Sequence, residues 1–412
     1  MFFRSLIFLA VHLGYNRESS SMFFKYFTAS LEGSGTSLAL QLEDDSVTRK
    51  ASVNPSALQT SNSYQCFDVT ASLPKVLILF CGGTLIMREN KDGSLVVNDR
   101  KVAIDMLLTL EPRLTTEVAN LTVQYIDNID SSNMSPKQWD DIGNVINDNY
   151  DKYDGFVITH GTDTMAYTAS ALSFILQDIG KPVVLTGAQI PAGRIGSDAR
   201  RNFCNSVRVA TLDRCGVFLV FDGDIILGAR SHKMSESKLD AFCPINWGLH
   251  GEIRIDILFS DEATTRHDRK LKFLPGFESE VVAFTLFPGF PPKCIESAIE
   301  NGCKGLVLRA YGSGNISYLY LDVIKLAYAK KIPVVVNTQC NEGATLMHLY
   351  DVGRQALDAG AIQAFDMSTE CLITKLMWVL KHASSFENVR ELMHTNYTGE
   401  LNKEGRLYGA RT

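Results

Sequence analysis

Among its nine cysteines and eight histidines the 412-residue chain has no C-x-x-C and no H-x-x-x-H pair. Zinc spacing is therefore missing, and an odd, scattered set of thiols fits reduced cysteines better than a disulfide framework. A basic field is missing too: the net charge is −6 and no stretch interleaves Lys and Arg with aromatic residues, so nucleic acid is not an expected partner. The apolar run Ser5 to Leu13, behind Arg4, is too short to span a bilayer. It has the length of a signal-peptide core, but Tyr15-Asn16-Arg17-Glu18 supplies no small-x-small cleavage site. A cytoplasmic protein without membrane association is expected, with export through residues 1–15 as the weaker alternative. The third glycine of a dinucleotide fingerprint and the Gly-Lys-Ser/Thr of a P-loop are also absent from the one glycine pair that follows a strand-like run.

The length exceeds what a single core supports, so two domains are expected. Residues 1–73 are rich in Ser, Thr, Asn and Gln from about Thr28 onward and read as a disordered leader, with Met22 as a second methionine. The first domain, 74–260, carries apolar runs at Lys75–Phe80, Leu121–Ile126, Phe156–Thr159, Pro182–Thr186 and Gly216–Phe221. Helical spacing between them predicts a doubly wound α/β sheet. A charged, aperiodic linker follows at 261–280. A smaller α/β domain spans 281–400, with strands at Gly305–Leu308 and Pro333–Asn337, before a tail at 401–412. Its last helix, Thr369 to Leu380, puts Leu372, Leu376, Val379 and Leu380 on one core-facing side.

Residues able to do chemistry gather where these strands end, the place where open parallel sheets bind ligands. Gly82-Gly83 permits a tight turn that presents the Thr84 hydroxyl, and Asp92-Gly93 lies in a polar flap over 88–99. Ser131 and Ser132 follow the second strand. Thr162 and Asp163 follow the third, where they read either as a catalytic pair or as helix caps; on local sequence capping is the simpler role. With Lys233 the set offers hydroxyls, a carboxylate and an amine, which suits acyl transfer: a threonine hydroxyl becomes nucleophilic only with a base beside it. A lysine serves as that base only when burial lowers its pKa. His160 and His232 read as structural strand-end residues, and Cys81 as packed into the sheet.

Five motifs, in order, resemble the bacterial-type L-asparaginases over about residues 75 to 385. They are Gly82-Gly83-Thr84, Asp130-Ser131-Ser132-Asn133-Met134, Thr159-His160-Gly161-Thr162-Asp163-Thr164-Met165, Thr186-Gly187-Ala188-Gln189-Ile190-Pro191 and Thr338-Gln339-Cys340. Asp366-Met367-Ser368-Thr369-Glu370 with Lys375-Leu376 is similar to the cytosolic type I branch. The resemblance implies a two-domain asparaginase-like fold and hydrolysis of L-asparagine to L-aspartate and ammonia with neither metal nor organic cofactor. Matched residue by residue, it implies Thr84 as nucleophile, Thr162, Asp163 and Lys233 as a second triad, and Ser131, Ser132, Thr162, Asp163 and Ala188 around the substrate. It implies a homodimer or homotetramer, with Asn315 reaching a neighbouring site. The family's flap tyrosine is missing near Asp92-Gly93-Ser94; Tyr350 is the candidate substitute, with an amphipathic helix residue as the plainer reading. Arg309 and Cys340 fall on motifs matching a region of allosteric control by asparagine, although Ile316-Ser317 replaces the usual Ala-Pro. The alternatives are an amidohydrolase for glutamine, a transamidation subunit, and an amino-acid-binding sensor with weak catalysis.

Overall fold

The computed structural model describes residues 72–89, 92, 95–96 and 100–403, with a two-residue antiparallel pair at Ala29–Ser30 and Ala39–Leu40. The leader and the tail fall almost wholly outside these residues. Eight strands form the first sheet: β1 (Lys75–Gly82), β2 (Asn120–Ile129), β3 (Gly155–Thr159), β4 (Pro182–Thr186), β5 (Gly216–Phe221), β6 (Asp224–Leu227), β9 (Gly251–Ile253) and β10 (Ile257–Phe259). Two short strands, β7 (Ser231–Lys233) and β8 (Phe242–Pro244), pair beside it. The sheet order is β2-β1-β3-β4-β5-β6-β9-β10.

The first five strands are parallel, in the order 2-1-3-4-5. Both faces of such a sheet are covered, which is why β1, β3, β4 and β5 read as continuous apolar runs. Alternate residues of β1 serve opposite cores. Leu77 and Leu79 join Ile142 and Ile146 of α2 (Pro136–Asn149) and Leu172 and Ile175 of α3 (Met165–Ile175). Val76, Ile78 and Phe80 join Ala103 and Leu107 of α1 (Arg100–Thr109) and Phe203 and Val207 of α4 (Ala199–Ala210). Pro136 sits at the first turn of α2, and Ser135 with Gln138 forms a capping box there.

Strand–helix alternation ends at β5. Asp222 and Gly223 both take positive φ, at 47° and 99°, and turn β5 directly into antiparallel β6. The last three strands therefore form an antiparallel edge. The charged stretch taken as a linker is also partly built in, because Lys272–Phe273 pairs with Leu176–Gln177.

A second, all-parallel sheet contains β11 (Val281–Thr285), β12 (Gly305–Ala310), β13 (Val334–Thr338) and β14 (Ile362–Gln363). One face packs on α5 (Pro292–Glu300) and α6 (Leu321–Ala329) through Ile295, Ile299, Val323 and Ile324. Two further helices, α7 (Asp351–Asp358) and α9 (Phe386–Met393), flank α8 (Thr369–His382) in the chain. Leu372 and Leu376 of α8 are fully buried in the same core as Val307 and Val335 of the second sheet and Leu172 of α3. Phe174 stacks on Trp378 with ring centroids 5.9 Å apart. The helix thus belongs to both domains, and truncating Leu376 to alanine would cost about 2–5 kcal/mol. Among the described residues no helix is long and apolar enough to cross a membrane.

Candidate active site

In an open sheet of order 2-1-3-4-5 the chain changes direction between β1 and β3, leaving a crevice beyond their C-terminal ends. Thr84 leaves β1 and Thr162 leaves β3 at that crevice. Close backbone contacts lock the loops together. A Cβ at Gly83 would lie 2.6 Å from Gly161 N, and one at Gly161 would lie 2.6 Å from Ser131 Oγ, so neither position accepts a side chain without displacement. Thr164 Oγ1 donates to the Ser131 carbonyl at 2.7 Å. The loops after β1, β2 and β3 are therefore one packed unit.

Within it, Lys233 Nζ donates to Thr162 Oγ1 at 2.8 Å and to Asp163 Oδ1 at 2.5 Å. Lys233 is largely buried, its side chain 16% exposed, whereas that of Asp163 is 65% exposed. Helix α3 is capped at Thr164 with no side-chain hydrogen bond, so the simpler capping role for Thr162 and Asp163 is not realised. A partner 70 residues away in sequence takes the carboxylate instead. Ser131 is buried, and Ser132 donates its hydroxyl and N–H to Asp130, which holds the Asp130 carboxyl below its ordinary range. Ala188 is fully buried in the loop after β4.

Sequence reasoning passed over Gln189. Thr162 Oγ1 donates to its Oε1 at 3.2 Å, while its Nε2 donates to the carbonyls of Glu236 and Lys238 at 3.0 Å each. Gln189 therefore ties the Thr162 hydroxyl to the segment just after Lys233. Behind it, Asp198 accepts from the N–H groups of Gln189 and Ile190 and from Asn202 Nδ2. The only sequence sign was that Gln189 stands inside a matched motif.

His160 is fully buried between the Gly161 carbonyl and Thr168 Oγ1, and burial lowers its pKa to about 4, so it is a neutral structural residue. Burial pushes the Cys81 thiol well up, which removes it as a nucleophile. Arg309 and Cys340 meet in a small cavity of about 30 Å³ with His232 and Glu370. His232 Nδ1 lies 2.7 Å from Glu370 Oε1, and that hydrogen bond raises the imidazole pKa. Tyr350 precedes α7 with 55% of its surface exposed, and among the described residues it makes no hydrogen bond to Thr84, Thr162, Asp163 or Lys233. Of the flap, only Arg88–Glu89, Asp92 and Leu95–Val96 are described; the two short strands there pair antiparallel. Among the described residues no cluster of His, Cys, Asp and Glu is arranged to hold a metal ion.

The family model described as asparaginase, N-terminal, matches residues 75–265, and that of the glutaminase/asparaginase C-terminal domain matches 280–393. An L-asparaginase of Thermococcus kodakarensis is 36% identical over 336 residues, 79% of this chain and 99% of that protein. A solved structure of the thermostable L-asparaginase from the same organism aligns with a TM-score of 0.74 over 80% of this chain and 99% of its own, at 35% identity. L-asparaginase I from Vibrio cholerae gives a TM-score of 0.73 over 80% of this chain and 100% of its own, at 32% identity. A glutamyl-tRNA(Gln) amidotransferase component from Methanosarcina mazei is 35% identical over 343 residues, 80% of this chain and 80% of its own.

Proposed function

The chain belongs to the asparaginase family, and from that premise we propose that it hydrolyses L-asparagine to L-aspartate and ammonia through an ester on Thr84. The observation that carries this reading is the amine of Lys233 bonded at once to the Thr162 hydroxyl and the Asp163 carboxylate, in a loop packed against the turn that precedes Thr84. The Thr84 hydroxyl attacks the side-chain carboxamide carbon and its proton passes to a basic group of the site. The C–N bond breaks, the nitrogen takes up a proton, and ammonia leaves. Water then attacks the ester, restoring Thr84 and giving aspartate. The Thr162–Lys233 pair supplies the proton acceptor, and Asp163 fixes the amine and stabilises it once protonated.

Ser131, Ser132 and Asp163 hold the substrate's α-carboxylate and α-ammonium, while the N–H of Thr162 and the Ala188 region face the amide oxygen and stabilise its developing charge. Tyr350 supplies the flap hydroxyl from the second domain. Neither a metal nor an organic cofactor takes part. The protein acts as a homodimer or homotetramer in the cytoplasm; its eight described cysteines, all unpaired, fit a reducing compartment. Arg309 and Cys340 sense asparagine, a role that rests on the family resemblance and requires their cavity of about 30 Å³ to widen when the ligand enters.

Ammonia release from L-asparagine and from L-glutamine, measured on the wild type and on Thr84→Ala, tests the reading. Release from asparagine that Thr84→Ala abolishes is expected. Turnover of glutamine in preference would replace the substrate, and saturable binding of asparagine without turnover would make the protein a sensor. Sigmoidal kinetics that become hyperbolic in Arg309→Ala are expected of the Arg309 pocket, and hyperbolic wild-type kinetics would remove that role. Light scattering reads the oligomer.

A further inference from the structure

His160 takes no part in the steps above, yet its ring bonds to the peptide that carries the Thr162 N–H. The ring is fully buried and neutral, so it has one N–H to give. The Gly161 carbonyl, 2.7 Å from Nδ1, can only accept, which puts that proton on Nδ1 and leaves Nε2 as an acceptor. Thr168 Oγ1 donates to Nε2 at 2.9 Å and accepts from Trp139 Nε1, a group that can only donate, at 3.1 Å. Every bond in the series Trp139, Thr168, His160, Gly161 therefore has one direction, and its far end is anchored on α2 and α3.

The main chain at His160 has no room to move. Its N–H donates to the Thr186 carbonyl at 2.9 Å, and a Cβ at Gly83 or Gly187 would lie 2.6 or 2.5 Å from its carbonyl oxygen. Gly161 is different: Ser131 Oγ fills the place of its missing Cβ, and a glycine offers little resistance to turning the peptide that follows it. That peptide is trans, so its carbonyl and the Thr162 N–H point in opposite directions. While the ring holds the carbonyl, the N–H faces away from the ring, and among the described residues it donates to no group. We propose that His160 is a positioning residue for the hydrolysis, aiming the Thr162 N–H at the developing oxyanion by gripping the Gly161 carbonyl. The inference rests on the reading of Thr84 as nucleophile and of the Thr162 N–H as oxyanion donor.

Steady-state kinetics on L-asparagine with the full-length wild type, Thr84→Ala, His160→Leu and His160→Asn, expressed per folded molecule, test this. In His160→Asn the amide nitrogen stands in for Nδ1 and still donates to Gly161, whereas in His160→Leu no donor remains. His160→Leu should lose roughly 10–100-fold in kcat with KM within about threefold, because an oxyanion contact acts in the transition state. His160→Asn should return kcat to within roughly fivefold of the wild type, although both variants lose the bond to Thr168 and both unfold at lower temperature. Wild-type kcat in His160→Leu, or an equal loss in the two variants, overturns the proposal and leaves the role of Thr84 standing. If His160→Leu does not fold, a kcat more than about tenfold down in His160→Asn overturns it, and so does a wild-type ring found protonated on Nε2 by nitrogen NMR of the imidazole. Ammonia release that survives Thr84→Ala removes the reading beneath it as well.

Discussion

Two lysine–carboxylate pairs in this protein have nearly the same length and opposite settings. Lys233 meets Asp163 at 2.5 Å where the carboxylate is 65% exposed, while Lys375 of α8 meets Glu400 at 2.6 Å with both side chains fully buried. In the buried pair it is the carboxylate that is filled: besides Lys375 Nζ, which also donates to the Thr395 carbonyl, Glu400 accepts N–H bonds from Tyr397 and Thr398. Burial alone would raise the Glu400 carboxyl, but Lys375 and those N–H groups hold it below the ordinary range. Lys233 shares its amine with a hydroxyl instead and leaves the Asp163 carboxylate open to solvent. The same two functional groups thus build a clamp in one place and a site open to ligand in the other. Each amine donates two hydrogen bonds, so what separates the pairs is the carboxylate, enclosed by N–H donors at Glu400 and open to solvent at Asp163.

The sharpest way to break this comparison is to remove each lysine. Lys233→Met should lower kcat for asparagine by about 10²–10⁴-fold with little change in thermal unfolding. Lys375→Met should do the reverse, costing about 3–5 kcal/mol because a buried carboxylate loses its partner, with kcat per folded molecule unchanged. Replacing both partners, as Lys375→Met with Glu400→Leu, should recover much of that loss in denaturant titration. Equal effects of the two lysine substitutions on kcat would erase the distinction.

A smaller effect separates the two strand-end histidines by pH. His160 has a folded pKa of about 4, below the unfolded value near 6.5, so the unfolded chain binds the extra proton between these values. Stability is fully present above pH 6.5 and falls by about 3 kcal/mol as pH drops to 4, a loss that His160→Gln should remove from the pH–stability curve. His232, raised by Glu370, has the opposite sign: its contribution is present below the unfolded pKa and is lost as pH rises through the folded one. Glu370→Gln should cancel that slope. The smallest expected effect is Gln189→Met, which frees the Thr162 hydroxyl from one partner and should change kcat by about tenfold while Tm stays within a few degrees. A Tm collapse instead would make Gln189 a purely structural brace.

The parts legible in the sequence were those encoded locally. β1 and β3 showed as β-branched runs because both their faces are buried, and the cap of α2 showed in Ser135-Pro136. The residues of the Asp222-Gly223 turn are visible in the sequence, but the antiparallel pairing they produce, of Phe218–Phe221 with Asp224–Leu227, is not. What stayed hidden depends on distant partners. Asp163 looked like a cap until Lys233 arrived from β7, and nothing near Gly161 announces that Ser131 fills the space where a side chain would go. Gln189 was missed for the same reason, since its partners lie 27 to 49 residues along the chain.

Helix α8, shared by both sheets, has a consequence for how the protein comes apart. Neither half would survive as an independent module, because cutting the chain between 261 and 280 would strip the greasy back of α3 of its cover and leave Leu372 and Leu376 facing water. Heating should therefore melt both halves in a single cooperative step, and fragments made separately should clump unless they are produced together and re-form the joint around Phe174 and Trp378.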